Sequence, residues 1–72
     1  MYNIHSKDYQ KFIKLLRKAR AEAGLTQKQV ADKLNKPQSF VSKSEFGERR
    51  VDFVELVKIA KILGKPLDYF AK

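Results

Sequence analysis

Twenty residues near the middle of the chain, Thr26-Gln27-Lys28-Gln29-Val30-Ala31-Asp32-Lys33-Leu34-Asn35-Lys36-Pro37-Gln38-Ser39-Phe40-Val41-Ser42-Lys43-Ser44-Glu45, divide into two short helices with a break between them. Thr26 at an N-cap with Gln29 at the third helical position forms a capping box, in which two orphan backbone donors are satisfied reciprocally. Val30, Ala31 and Leu34 then supply one apolar face. Asn35 tolerates the left-handed conformation and Pro37 biases Lys36 away from helical angles, so the first helix ends there. The second runs from about Gln38 to Glu45 and is mostly polar: Gln38, Ser39, Ser42, Lys43 and Ser44 surround Phe40 and Val41. A helix with so few apolar residues is not stable alone and must be held by its neighbours.

Longer amphipathic segments bracket this pair. From about Ser6 to Ala23, Tyr9, Phe12, Ile13, Leu16, Arg20 and Ala23 recur at helical spacing, with Ser6 as N-cap and Asp8 near the positive end of the helix dipole. Beyond Gly47 and a loop of Glu48-Arg49-Arg50-Val51, Asp52-Phe53-Val54-Glu55 reads as a second capping box. Phe53, Leu56, Val57, Ala60 and Leu63 trace its core face, widened by Val54, Ile59 and Ile62. Gly64-Lys65-Pro66 ends that helix. Leu67-Asp68-Tyr69-Phe70 is expected to be one more helical turn, laying Leu67 and Phe70 over the core. Tyr2, Tyr9 and Tyr69 are expected to pack at its edges. No segment alternates like a half-buried strand. The expectation is an all-α fold, a compact bundle of four helices plus a short C-terminal helical turn, in one domain over residues 1–72.

Bulk composition narrows the function. At 72 residues and 43% hydrophobic, the chain suits a single small core. It has no cysteine, hence no disulfide and no thiolate metal site, and a lone His5 cannot build one. No apolar run is long enough to span a bilayer, and Met1 to Lys11 lack the order of a secretory signal, so a cytoplasmic protein is expected. Sixteen Lys and Arg against eight Asp and Glu give a net charge of +8, a positive field that attracts polyanions, nucleic acid foremost. No His or Cys partners the serines in a nucleophile arrangement, so no enzyme is expected and no cofactor is implied.

Two short helices joined by a tight turn make a helix-turn-helix, here at about residues 26–45. In this motif the first helix crosses the DNA backbone, and the second is polar because it is presented to the major groove. The chain resembles the Cro and phage-repressor-like (Xre-like) family. The matching residues are Leu16-Arg17, Arg20, Gly24-Leu25-Thr26-Gln27, Val30-Ala31, Leu34, Ser39, Val41-Ser42-Lys43, Glu45, Gly47, Arg49, Glu55-Leu56, Ile59-Ala60, Leu63 and Phe70. The match runs from about residue 9 through all four helices, and its spacing in combination is what makes it specific. It implies a lambda-repressor-like DNA-binding domain. Where the family usually has a large apolar residue before Glu45 this chain has Ser44, and Phe46 stands where a polar residue is commoner.

The resemblance also implies roles. Gln27 resembles the residue that clamps a phosphate with its side chain and backbone amide at a helix N-terminus. Gln38, Ser39 and Lys43 resemble the positions that meet base edges, with Ser42 between groove and backbone. Phe40 either touches a thymine methyl or packs in the core. Lys36, Arg49 and Arg50 are candidates for phosphate contacts; an exposed pair of loop charges is the alternative for the two arginines. Gln can bond adenine, and Lys guanine O6 and N7. Arg20 and Glu45 resemble an inward ion pair joining the first and third helices. The expected function is sequence-specific binding of double-stranded DNA as a transcriptional regulator, a repressor, in the form of a homodimer on a pseudo-palindromic operator. The end of the fourth helix, Phe46 and Phe70 are the expected dimer contacts. No membrane and no small-molecule substrate is implied. The alternative is a protein-interaction module such as an antitoxin-like partner.

Overall fold

Residues 5–72 are described by a computed structural model, which folds them into four α-helices and a closing 3-10 turn. These are α1 (Lys7–Glu22), α2 (Gln27–Leu34), α3 (Gln38–Glu45) and α4 (Phe53–Leu63), with the 3-10 turn at Leu67–Ala71. Among the described residues there is no strand. Tyr2 lies outside them.

Local chemistry accounts for the element ends. Ser6 Oγ accepts from the Tyr9 N–H at 3.1 Å and caps α1. Both capping boxes are formed: Thr26 with Gln29 opens α2, and Asp52 with Glu55 opens α4. Asn35, at φ 61°, closes α2 in the left-handed conformation, and its N–H reaches back to Ala31 and Asp32. Helix α3 starts from Pro37 without any side-chain cap, so its first turn is held by the Phe40 N–H donating to the Pro37 carbonyl at 3.0 Å and by packing.

The core gathers Ile13, Leu16 and Ala19 of α1, Val30 and Ala31 of α2, Val41 of α3, Ile59, Ala60 and Leu63 of α4, and Phe70. Tyr9 joins it and has a second task. Its hydroxyl accepts from the Val51 N–H at 3.0 Å and reaches the Arg49 carbonyl at 3.5 Å, tying α1 to the loop after α3. At the other end of α1, Lys65 and Glu22 pair at 2.7 Å, and that hydrogen bond holds the Glu22 carboxyl below its ordinary value.

Four expectations need correction. Ala23 is exposed beyond the end of α1, and Ala19 is the alanine that α1 buries. Phe53 and Val54 are 68% and 62% exposed in the first turn of α4 and lie outside the core, whereas Ile59, also expected to widen the core face, is part of the core. Leu67 is 40% exposed, so Phe70, with Tyr69 packed beside it, covers the core from the closing turn. Because Phe70 is buried within the protomer, it offers no surface to a second copy.

The departure at Ser44 has a visible result. Ser44 is buried, and its hydroxyl donates to the Phe40 carbonyl at 2.7 Å. Beside it lies a cavity of about 20 Å³ lined by Leu16, Val30, Val41, Ile59 and Leu63, among others. A serine leaves this space unfilled where a longer apolar side chain would enter. Phe46 does not fill it: the ring is 57% exposed, with the Arg17 guanidinium 4.9 Å from its centre.

Candidate nucleic-acid interface

Helix α3 has two unlike faces. Val41, Ser44 and Glu45 are buried, while Gln38, Ser39 and Lys43 are exposed and Ser42 is half-buried between them. The exposed residues fall at positions i, i+1 and i+5 and share one side of the helix. They offer amide, hydroxyl and ammonium groups, with no apolar side chain in the set. The N-terminal turn of α2 lies alongside: Gln38 Nε2 is 3.5 Å from Gln27 Oε1.

Behind this surface sits a buried carboxylate. Glu45 is 4% exposed, and Arg20 grips it with two contacts, Nε to Oε2 at 2.6 Å and Nη2 to Oε1 at 3.1 Å. Arg20 also donates to the Leu25 carbonyl at 3.0 Å, and Arg17 donates to the backbone carbonyl of Glu45. Gln27 Nε2 completes the set by donating to Glu45 Oε1 at 3.0 Å. Two helices therefore meet on the Glu45 side chain, α1 through Arg20 and α2 through Gln27, while Arg17 holds the Glu45 backbone and Arg20 ties in the turn before α2 through Leu25. This is how a helix with little apolar surface is held in place.

The other flank of α3 is held by cations and an aromatic ring. Phe40 is half-buried against the core. The Arg49 guanidinium lies 4.1 Å from its ring centre and Lys36 Nζ 5.5 Å. Arg49 makes a two-pronged contact with Glu55, both at 3.0 Å, and donates to Ser44 Oγ at 3.2 Å. The Arg49 hydrogen bond, helped by the Asp52 N–H and opposed by burial, keeps the Glu55 carboxyl below its ordinary value. Packing on the core thus accounts for Phe40 without any base contact, and Arg49 is used within the fold to fasten the loop to α4. Arg50, next to it, is exposed, as is Lys36.

Gly47 sets the course of the chain as it leaves α3. It adopts φ 77°, and a Cβ there would come within 3.4 Å of Ile13 Cδ1. A residue without a side chain at this point brings the loop down onto α1 and places Arg49 and Arg50 at the end of α3.

A family model described as helix-turn-helix matches residues 16–70. A solved structure, an XRE-family like protein from Pseudomonas syringae pv. tomato, is 43% identical and superposes with a TM-score of 0.86 over 94% of this chain and 83% of its own. The chain belongs to the Xre-like helix-turn-helix family. A curated relative, the uncharacterized HTH-type transcriptional regulator YqaE of Bacillus subtilis, is 38% identical over 61 residues, which is 85% of this chain and 53% of that protein. The chain thus spans about half the length of that curated relative.

Within this Xre-like frame, α3 presents Gln38, Ser39, Ser42 and Lys43 on one side, with Gln27 beside Gln38, while Lys36 lies at the Phe40 flank and Arg50 is exposed in the loop after α3. Sequence reasoning missed the contacts by which Glu55, Tyr9 and Arg17 place the loop and the end of α3. Glu55 had a visible signal, its position in the capping box. Its hold on Arg49 had none, since that contact depends on how the loop packs against α4.

Proposed function

We propose that the protein binds double-stranded DNA sequence-specifically, laying α3 in the major groove with Gln38, Ser39 and Lys43 toward the base edges, and acts as a transcriptional repressor. The observation that carries this reading is the exposed, wholly polar face of α3 on an otherwise core-packed helix, within an Xre-like domain. The N-terminus of α2, with Gln27, and the exposed Lys36, Ser42 and Arg50 are the phosphate-facing groups. Two copies bind half-sites about 34–36 Å apart on a pseudo-palindromic operator. The exposed Phe46, Phe53 and Val54 provide apolar surface for the second copy. Selection of binding sites from random duplex DNA, with the mass of the complex measured, tests the reading. Random DNA bound as tightly as any selected site would refute it.

Gln38→Ala is expected to relax discrimination at one base pair by about 1–3 kcal/mol, leaving the other positions of the selected site unchanged. Competition binding against single-base variants of the site checks this.

The two loop arginines should separate. Arg50→Ala is expected to lower the slope of log affinity against log salt by about 0.9, the loss of one phosphate contact. Arg49→Ala is expected instead to lower stability by about 1–2 kcal/mol, since it removes the Glu55 pair, the Ser44 hydrogen bond and the stacking on Phe40. Thermal melts and salt titrations of both variants decide it; an unchanged slope in Arg50→Ala removes that residue from the interface.

A further inference from the structure

The contacts among Glu45, Gln27 and Gln38 carry a directional constraint. A carboxylate has no hydrogen to give. The Gln27 atom that lies 3.0 Å from Glu45 Oε1 is therefore its amide nitrogen. That turns the Gln27 carbonyl oxygen the other way, toward α3, where Gln38 Nε2 stands 3.5 Å off. An oxygen only accepts, so Gln38 in turn directs its NH2 toward Gln27. The Gln38 amide then offers its remaining N–H and its carbonyl oxygen in one fixed order, and adenine takes that pair through N7 and the N6 amino group. Arg20 keeps the origin of the chain in place by binding both oxygens of Glu45.

We propose that Glu45 is a positioning residue for base reading: acting through Gln27, its carboxylate sets which way round the Gln38 amide meets the base pair. The proposal rests on Gln38 facing the bases, as above. It assigns the carboxylate a second task besides holding α3, and a variant that lowers stability elsewhere separates the two.

The test compares variants on the ratio of two dissociation constants, one for the selected site and one for that site changed at the Gln38 base pair, each measured well below the variant's melting temperature. Glu45→Gln replaces an acceptor by an amide that can give a hydrogen bond as readily as take one. Gln27 is then able to turn over, and the ratio should fall about fivefold to tenfold. Gln27→Leu leaves the Arg20–Glu45 pair intact and should lower the ratio to a similar extent, so the outcome does not depend on Glu45→Gln folding well. The double variant should lose no more than either single one, the mark of residues acting in one chain. Ile13→Val lowers stability while leaving Glu45, Gln27 and Gln38 as they are, and its ratio should stay unchanged. A ratio that survives Glu45→Gln and Gln27→Leu, or that falls as far in Ile13→Val, overturns the proposal. Gln38→Ala separates the two readings: discrimination lost there but kept in Glu45→Gln refutes the relay alone, whereas discrimination kept in Gln38→Ala refutes base reading by Gln38 and the relay with it.

Discussion

Glu45→Ala is expected to lower the stability of the domain by about 3 kcal/mol and its melting temperature by roughly 10–25 °C, read by thermal circular dichroism. The variant strips three donors of their acceptor at once: Nε and Nη2 of Arg20 and Nε2 of Gln27. Arg20 is left with a guanidinium that is only 22% exposed and only the Leu25 carbonyl to bond. The low end of the range for a broken buried pair applies, because Arg20 has a route to water. A domain of this size has on the order of 4–11 kcal/mol in total, so the loss is a large share of it. An unchanged melting temperature would show that α3 is held by its apolar residues after all.

Ile13→Ala is expected to cost about 3 kcal/mol as well, for a different reason. Ile13 is 2% exposed and sits in the middle of the buried face of α1. Removing its branched tip forfeits transfer free energy and leaves a cavity that the surrounding helices close only in part. The cavity would open under Gly47, whose backbone lies over the Ile13 methyl, so the loop carrying Arg49 and Arg50 loses its floor. Ile13→Val, one methyl smaller, should cost about 1 kcal/mol. Chemical denaturation of the pair gives both numbers, and equal losses in the two variants would mean that the site is not tightly packed.

Much of the fold was legible because its signals are local. Capping at Ser6, Thr26 and Asp52 and the left-handed turn at Asn35 depend on residues within three or four positions, and each is found where the chain's chemistry places it. Periodicity identified the angle at which a helix meets the core, but not how far along its axis the core extends. That is why Phe53 and Val54 fall outside it although they continue the apolar pattern of α4. The polar face of α3 was legible from its composition. The grip behind it was legible only in part: the family resemblance supplied Arg20 with Glu45, whereas the contact from Gln27 joins residues eighteen positions apart and follows from how α2 and α3 cross. The stack of Arg49 on Phe40 is equally tertiary. Net charge was a weaker guide than the face of α3, since Lys7, Lys11, Lys14 and Lys18 spread part of the surplus along the outer side of α1.

The clamps at the two flanks of α3 also bear on the thermodynamics of association. Many basic DNA-contacting segments become helical only on the duplex, and the entropy of ordering them is subtracted from their affinity. Here Arg20 and Arg17 hold one end of α3, while Phe40 and Arg49 hold its flank, all within the isolated domain. On the proposed reading, the helix meets DNA already formed, and binding is expected to carry a modest heat-capacity change set by the contact area, with no folding transition added to it.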